Sequence, residues 1–150
     1  TYPVVVKVST VTTTGENIDQ EVIRIGADQN KFDVLQDLLA LDEIEKVLIF
    51  EETKHKVNKL SKMLNQKGIR SDEIHGNKTQ SARQKALNNF KTGKVNVLVA
   101  TDVAARGIDV SDITHVINYQ VPQSFDTYIH RIGRTGRAGK VGKAYTLLGG

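Results

Sequence analysis

Short apolar runs alternate along the chain with stretches in which apolar residues recur every three or four positions, and the two periods predict strands and helices in turn. Val4 to Val8 and Ile18 to Ile25 read as strands on either side of the polar segment STVTTTGEN. Phe32, Leu35, Leu38 and Leu39 then give a helix its apolar stripe. Lys46 to Phe50 predicts a buried strand, followed by a helix carrying Val57, Leu60 and Leu64, a short strand through Ile74, and a helix carrying Ala86, Leu87 and Phe90. Val95 to Ala100, Ile113 to Tyr119 and Ala144 to Leu148 are further strands, with a helix from Ser124 to about Ile132 between the last two. Strands alternating with helices predict an α/β domain on a mainly parallel sheet. There is no internal repeat, low-complexity tract or long linker, so residues 1–150 read as one domain.

Composition narrows the class. With 150 residues, 39% of them hydrophobic, the chain can bury a core without metal or disulfide staples. It has no cysteine, and its four histidines show no HExxH spacing, so no metal site is expected. No apolar run approaches the roughly 18 residues that would span a bilayer, and the start, TYPVVVKVST, lacks the basic and apolar regions of a leader. A soluble, intracellular, cytoplasmic protein without membrane contact is expected. The first residue is not Met and YTLLGG closes the chain on a strand-like segment, as in a domain excised from a longer protein. The formal charge is only +4, from 21 Lys and Arg against 17 Asp and Glu, so the placement of charge says more than the total.

Polar turns follow four of the strands: EET after Phe50, HG after Ile74, TDVAARGID after Ala100 and QVP after Tyr119. In open parallel sheets the edge where strands end is where ligands bind. The helix that follows QVP carries Phe125, Tyr128, Ile129 and Ile132 at the spacing of a core-facing stripe. His130, Arg131 and Arg134 lie off it, in HRIGRTGRAG, whose glycines loosen the helix end and aim Arg134 and Arg137 outward. From Thr127 to Gly150 there is no Asp or Glu to neutralise Arg131, Arg134, Arg137, Lys140 and Lys143. A helix C-terminus favours one or two cations through its dipole; the arginines beyond that suit phosphate oxygens. In HGNKTQSAR a helix starts on Asn77 or Thr79, with Gln80 and Arg83 one turn apart and able to grip one phosphate. In TDVAARGID, Asp102 can cap a short helix and Gly107 can end it, while Thr101, Arg106 and Asp109 bring a hydroxyl, a cation and a carboxylate to the same edge.

These stretches, in this order, resemble the motifs of the second RecA-like domain of DEAD-box RNA helicases. VLIFEET resembles motif IV, with Phe50 and Thr53 in the matching places; HGNKTQSAR resembles the HGxxxQxxR of motif IVa; ATDVAARGID resembles motif V; and HRIGRTGR resembles the HRxGRxxR of motif VI. TTTGENIDQEVIRI is similar to the segment that leads into this domain in bacterial members. The resemblance spans nearly the whole chain and implies a RecA-like three-layer α/β/α fold. It implies that Arg134 and Arg137 are arginine fingers, the catalytic contribution of this half, reaching ATP across an interdomain cleft. Such fingers are worth roughly 10³ to 10⁵ in rate. Asp109 would hold the ATP ribose. Gly76, Gln80, Arg83 and Thr101 would contact the backbone of single-stranded RNA, and Phe50, Thr53, Asp102, Arg106, Gly107, His130 and Arg131 would couple the two sites.

The partners implied are single-stranded or duplex RNA and the N-terminal RecA-like domain of the same protein. That domain would carry the phosphate loop and most of the Mg²⁺ coordination, since this chain has no Walker A sequence, and DEIE at 42–45 precedes a strand in the wrong context for the DEAD tetrad. The isolated domain is expected to be monomeric and inactive as an ATPase. Phosphate contacts carry no base information, so RNA binding is expected to be sequence-tolerant and salt-sensitive, and the 5% of aromatic residues also argues against a base-stacking platform. One departure is Gln120, where many members carry Asp. Two other classes share the pattern: a nucleic-acid-binding module that has lost catalysis, against which the preserved Arg134 and Arg137 argue, and a DNA helicase or repair ATPase on the same core.

Overall fold

The computed structural model describes residues 4–8, 17–41, 43–137 and 139–150; most of the polar segment after the first strand lies outside them. The elements run β1 (Val4–Val8), β2 (Ile18–Ile25), α1 (Lys31–Leu39), β3 (Val47–Phe50), α2 (Lys54–Gln66), β4 (Ser71–Ile74), α3 (Gln80–Thr92), β5 (Val97–Ala100), α4 (Asp102–Ala105), β6 (His115–Asn118), α5 (Phe125–Ile132) and β7 (Gly142–Gly149). Every strand and every helix expected from the sequence is present. Six strands, β2 to β7, are parallel, and β1 joins β2 antiparallel at one edge of the order β1-β2-β7-β6-β3-β5-β4.

β3 and β5, VLIF and VLVA, read as unbroken apolar runs because both faces of the sheet are covered. Val47 and Ile49 point into a cluster with Phe32 and Leu35 of α1 and Val57, Leu60 and Leu64 of α2. Leu48 and Phe50 point the other way, against Ala86 and Phe90 of α3 and Ala104 and Ala105 of α4. α5 packs through Ile129 and Ile132 on Ala144 of β7, whose neighbour Tyr145 faces the α1–α2 layer. The result is a three-layer α/β/α sandwich, as expected.

The register places the strand ends in one row. Phe50 is the Cα partner of both Ala100 and Asn118, and Ala100 is the partner of Ile74. The four polar turns singled out in the sequence therefore leave the sheet side by side. The helices that follow start on side-chain caps: Thr53, Thr79, Thr101 and Ser124 each accept the N–H three residues on. Thr79 rather than Asn77 caps α3, and Thr101 rather than Asp102 caps α4, which leaves the Asp102 carboxylate for another partner.

Two expectations on α5 are corrected. Phe125, assigned to the core stripe, is 61% exposed: it is the first residue of the helix, and its ring stacks on Tyr128 rather than entering the core. Arg131, placed off the stripe, is only 2% exposed. Beyond α5 the chain passes Gly136 at φ +71°, where an added Cβ would stand 2.6 Å from the carbonyl oxygen of Asn17, and the Gly142 N–H donates to that same oxygen at 3.0 Å. Among the described residues no helix is long and apolar enough to cross a membrane.

Candidate nucleotide and nucleic-acid interface

A cleft of about 280 Å³ opens at the row of strand ends. Phe50 from β3 and Asp102, Arg106 and Gly107 from the turn after β5 line one side; His130, Arg131 and Arg134 from the end of α5 line the other. Seven residues expected to couple or catalyse, drawn from three separate motifs, are thus brought together. Thr53 is not among them: it is exposed and its hydroxyl caps α2. His130 is exposed and 3.7 Å from Asp126 one turn earlier.

Arg131 holds the cleft together. Its Nε and Nη2 donate to the two oxygens of Asp102 at 2.6 and 2.8 Å; Nη1 donates to the Asn118 side-chain oxygen at 3.2 Å and to the Gln120 carbonyl at 2.8 Å; Nη2 also donates to Oε1 of Gln120 at 3.1 Å. The Phe50 ring lies 5.0 Å below the guanidinium carbon. A buried cation is tolerated only when paired and hydrogen-bonded, and here all five N–H donors of the fork have acceptors. The anion for Arg131 is therefore internal, and this guanidinium has no donor left for a ligand. Gln120, which departs from the common Asp, serves as a neutral acceptor, so that Asp102 supplies the only carboxylate on this arginine among the described residues.

Arg134 differs. It is half-buried in the cleft and makes one long contact, Nη1 to the Ile108 carbonyl at 3.5 Å, with no salt bridge among the described residues. Asp109, next in sequence to that carbonyl, is exposed. Arg137 does not share the cleft. It lines a second cavity, of about 270 Å³, beside Lys46, Asp112 and Lys140 at the edge where β3 and β6 begin. There Lys46 Nζ donates to Asp112 at 2.9 Å and to the Lys91 carbonyl at 3.0 Å, and its hydrogen bond holds the Asp112 carboxyl below the usual carboxylate range. The two arginines thus flank the 106–113 segment, which the Thr135 hydroxyl ties down by donating to the Ile113 carbonyl at 2.5 Å. Lys143 pairs with Glu43 at 3.2 Å.

Along the same edge, Gly76 and Gln80 are exposed, and nothing lies within 4 Å of where a Gly76 Cβ would be. Backbone can approach there. Thr101 spends its oxygen on the α4 cap. Arg83 does not stand beside Gln80 as a free grip: its Nη1 and Nη2 donate to the carbonyls of Ala104 and Arg106 at 2.5 and 3.3 Å, closing the C-terminal end of α4. His75 was quoted in the sequence but given no role, and the structure gives it one. Its Nδ1 accepts the Asn77 N–H at 3.3 Å while Nε2 faces Oε1 of Glu73 at 3.4 Å, itself held by Asn58 at 2.9 Å. That chain fixes the turn carrying Gly76, and an acid two residues before a histidine was its only signal.

A family model described as helicase conserved C-terminal domain matches residues 30–139. The chain belongs to this family. Among curated relatives, the DEAD-box ATP-dependent RNA helicase CshA of Bacillus subtilis is 47% identical over 148 residues, 99% of this chain and 30% of that protein. CshA of Bacillus cereus is also 47% identical, over 134 residues, 89% of this chain and 25% of that protein. The chain thus spans between a quarter and a third of the length of these relatives. Among solved structures, the Escherichia coli DEAD-box protein SrmB bound to regulator of ribonuclease activity A matches with TM-score 0.77 and 40% identity, covering 89% of this chain and 76% of that one. Saccharomyces cerevisiae Dbp5 bound to RNA and ADP BeF3 matches with TM-score 0.76 and 34% identity, covering 90% and 35%. The family fold is therefore RecA-like, and the motif resemblance is upheld across the chain.

Proposed function

We propose that the chain is the second RecA-like domain of an ATP-dependent RNA helicase, which closes with an N-terminal RecA-like domain around ATP and single-stranded RNA and so separates short duplexes. The observation that carries this reading is the contrast between Arg131 and Arg134. The first is saturated by internal acceptors, whereas the second, held beside it in the same cleft, has a cationic fork with no carboxylate on it among the described residues.

On closure, Arg134 and Arg137 stabilise charge on the phosphoryl group being transferred, and Asp109 accepts from the ribose hydroxyls. Arg137 must come round the 106–113 segment to do so, and Gly136 gives its turn the left-handed backbone. Gly76, Gln80 and Thr101 meet RNA phosphates, with Arg83 holding the α4 turn in place behind them. Arg131 couples the sites, because one side chain ties the Thr101–Asp102 turn to the helix bearing Arg134. Mg²⁺ would be held mainly by the N-terminal domain, with this chain supplying the cations that face the phosphates. The isolated domain is proposed to be monomeric and to turn over no ATP. The likeness to CshA, an ATP-dependent RNA helicase, to the DEAD-box protein SrmB and to Dbp5 bound to RNA and ADP BeF3 supports this reading.

The test is RNA-stimulated ATP hydrolysis by the full-length protein, comparing wild type with Arg134→Ala and Arg137→Ala while RNA binding is followed in parallel. Turnover should fall at least about 10³-fold with RNA binding largely kept. Unchanged turnover with weakened RNA binding would turn the arginines into nucleic-acid contacts and favour a binding module.

A further inference from the structure

The α1–α2 layer, on the opposite face of the sheet from α3, α4 and α5, carries a charge pattern that the ATP and RNA roles do not use. From Lys54 to Arg70 there are five lysines, a histidine and an arginine, and no acid. Lys56 pairs with Glu52 at 2.9 Å; Lys54, Lys59, Lys62 and Lys67 have no salt bridge among the described residues. At 100° per residue Lys56, Met63 and Lys67 share one flank of α2, next to its buried face of Val57, Leu60 and Leu64. That flank looks across a groove to the first turn of α1.

The groove consists of two adjoining cavities, of about 590 and 230 Å³, that share Met63 and Tyr119. Phe32, Leu60 and Met63 give it an apolar floor, and the Tyr119 ring forms one wall, with Lys31 Nζ 4.5 Å from its centroid. Lys31, Lys56, Lys59 and Lys67 outnumber the two carboxylates of the lining, Asp33 and Glu51, and Glu51 is buried. Burial of Lys31 lowers its pKa from the ordinary lysine value, and burial likewise pushes the Tyr119 hydroxyl up to about 12. Both follow from a partly desolvated pocket, where an added carboxylate is worth more than on open surface.

We propose that this groove docks a short acidic protein segment that seats one bulky apolar side chain on the Met63–Tyr119 floor and sets its carboxylates against Lys31, Lys56, Lys59 and Lys67. Charge complementarity requires an anion, and the apolar floor requires an aliphatic or aromatic group beside it. An RNA strand supplies the first without an aliphatic group. One face of the Tyr119 ring is already covered by Lys31, which leaves a base little to stack on. The groove lies on the other layer from Gln80 and Thr101, so the segment and RNA would bind together. This inference stands or falls independently of the ATP reading.

The test uses a fluorescein-labelled peptide of glutamates flanking a central leucine pair, titrated against the protein by fluorescence anisotropy, with and without saturating oligouridylate. Binding that weakens with salt, is about tenfold or more weaker in the Lys59→Glu/Lys67→Glu double variant, is weaker still for a peptide with serine replacing leucine, and is indifferent to oligouridylate is the expected result. Both lysines are exposed, so the variant should keep the wild-type circular dichroism. The proposal is overturned by no binding, by equal binding to the double variant or the serine peptide, or by displacement with oligouridylate, which would assign the lysines to RNA.

Discussion

Replacing Asp102 by Asn probes the keystone of the cleft with little change of shape. The carboxylate accepts two charge-assisted bonds from Arg131 in a parallel fork. An asparagine offers one acceptor and turns an N–H₂ group against the other donor, leaving a donor unpaired on a side chain that is 2% exposed. Orphaning a buried charged donor costs about 1–3 kcal/mol. The Asp102 side chain is itself 43% exposed, so water screens the lost Coulomb attraction and little need be added for it. A loss of about 2–3 kcal/mol follows, which for a domain of this size lowers Tm by about 5–10 °C. Thermal unfolding followed by circular dichroism reads this directly. Asp126→Asn, which removes an equally charged but exposed residue of α5, is the control and should stay within about 0.5 kcal/mol. Gln120 provides the sharper check. Its Oε1 already sits 3.1 Å from Arg131 Nη2, so the isosteric Gln120→Glu in the Asp102→Asn background restores a carboxylate to the same fork and should recover at least half of the loss. A melting temperature unchanged by Asp102→Asn, or no recovery with Gln120→Glu, would refute the assignment of Arg131's stability to this ion pair.

Three further outcomes are expected. His75→Ala should weaken RNA binding by the full-length protein several-fold, and His75→Asn, whose side-chain oxygen can accept the Asn77 N–H in a turn of the same kind, should restore it; equal defects in both would mean that the turn does not depend on that acceptor. Burial holds the His115 imidazole below its ordinary value, with Glu43 opposing and Lys143 reinforcing the shift and the Tyr145 ring stacked on it. Its contribution is then fully present above the ordinary histidine pKa of about 6.5 and is lost as pH falls from there through the lower folded value. Urea denaturation near pH 7.5 and near pH 5.5 should show a smaller acid loss for His115→Gln than for wild type, and an identical loss would remove His115 from the account. Gly136→Ala combines a left-handed backbone with a clash against Asn17 and should cost roughly 3 kcal/mol in chemical denaturation, whereas Gly68→Ala, at φ +79° with open space around it, should cost about 1 kcal/mol.

The order and kind of the elements were legible in the sequence because a sheet covered on both faces leaves strands such as VLIF and VLVA unbroken, a pattern that loops and helices do not imitate. The edge carrying the site was legible too, since in a parallel sheet all strands end on one side. What periodicity misses is where a stripe leaves the core: Phe125 has the right phase and the wrong end of the helix. Pairings distant in sequence were equally invisible. Arg131 meets Asp102 across 29 positions and Arg83 meets the Ala104 carbonyl across 21, so both looked available to a ligand when read from their own helices. The separation of Arg134 from Arg137 depends on the path of the 106–113 segment between them, which no local spacing encodes.

The row formed by Phe50, Ala100, Asn118 and Ile74 has a consequence for how such a domain tolerates insertion. Adding one residue inside β3, β5 or β6 would advance the strand end by about 3.3 Å and turn every later side chain to the opposite face, carrying Phe50, Asp102 or Asn118 respectively away from Arg131. Adding residues to the loops at the other edge, where the strands begin, shifts none of these anchor points. Length variation should therefore be forbidden within the buried strands and free at their starts, so that the oily interior, which has no side chain in the cleft's polar network, sets the tolerances of the cleft.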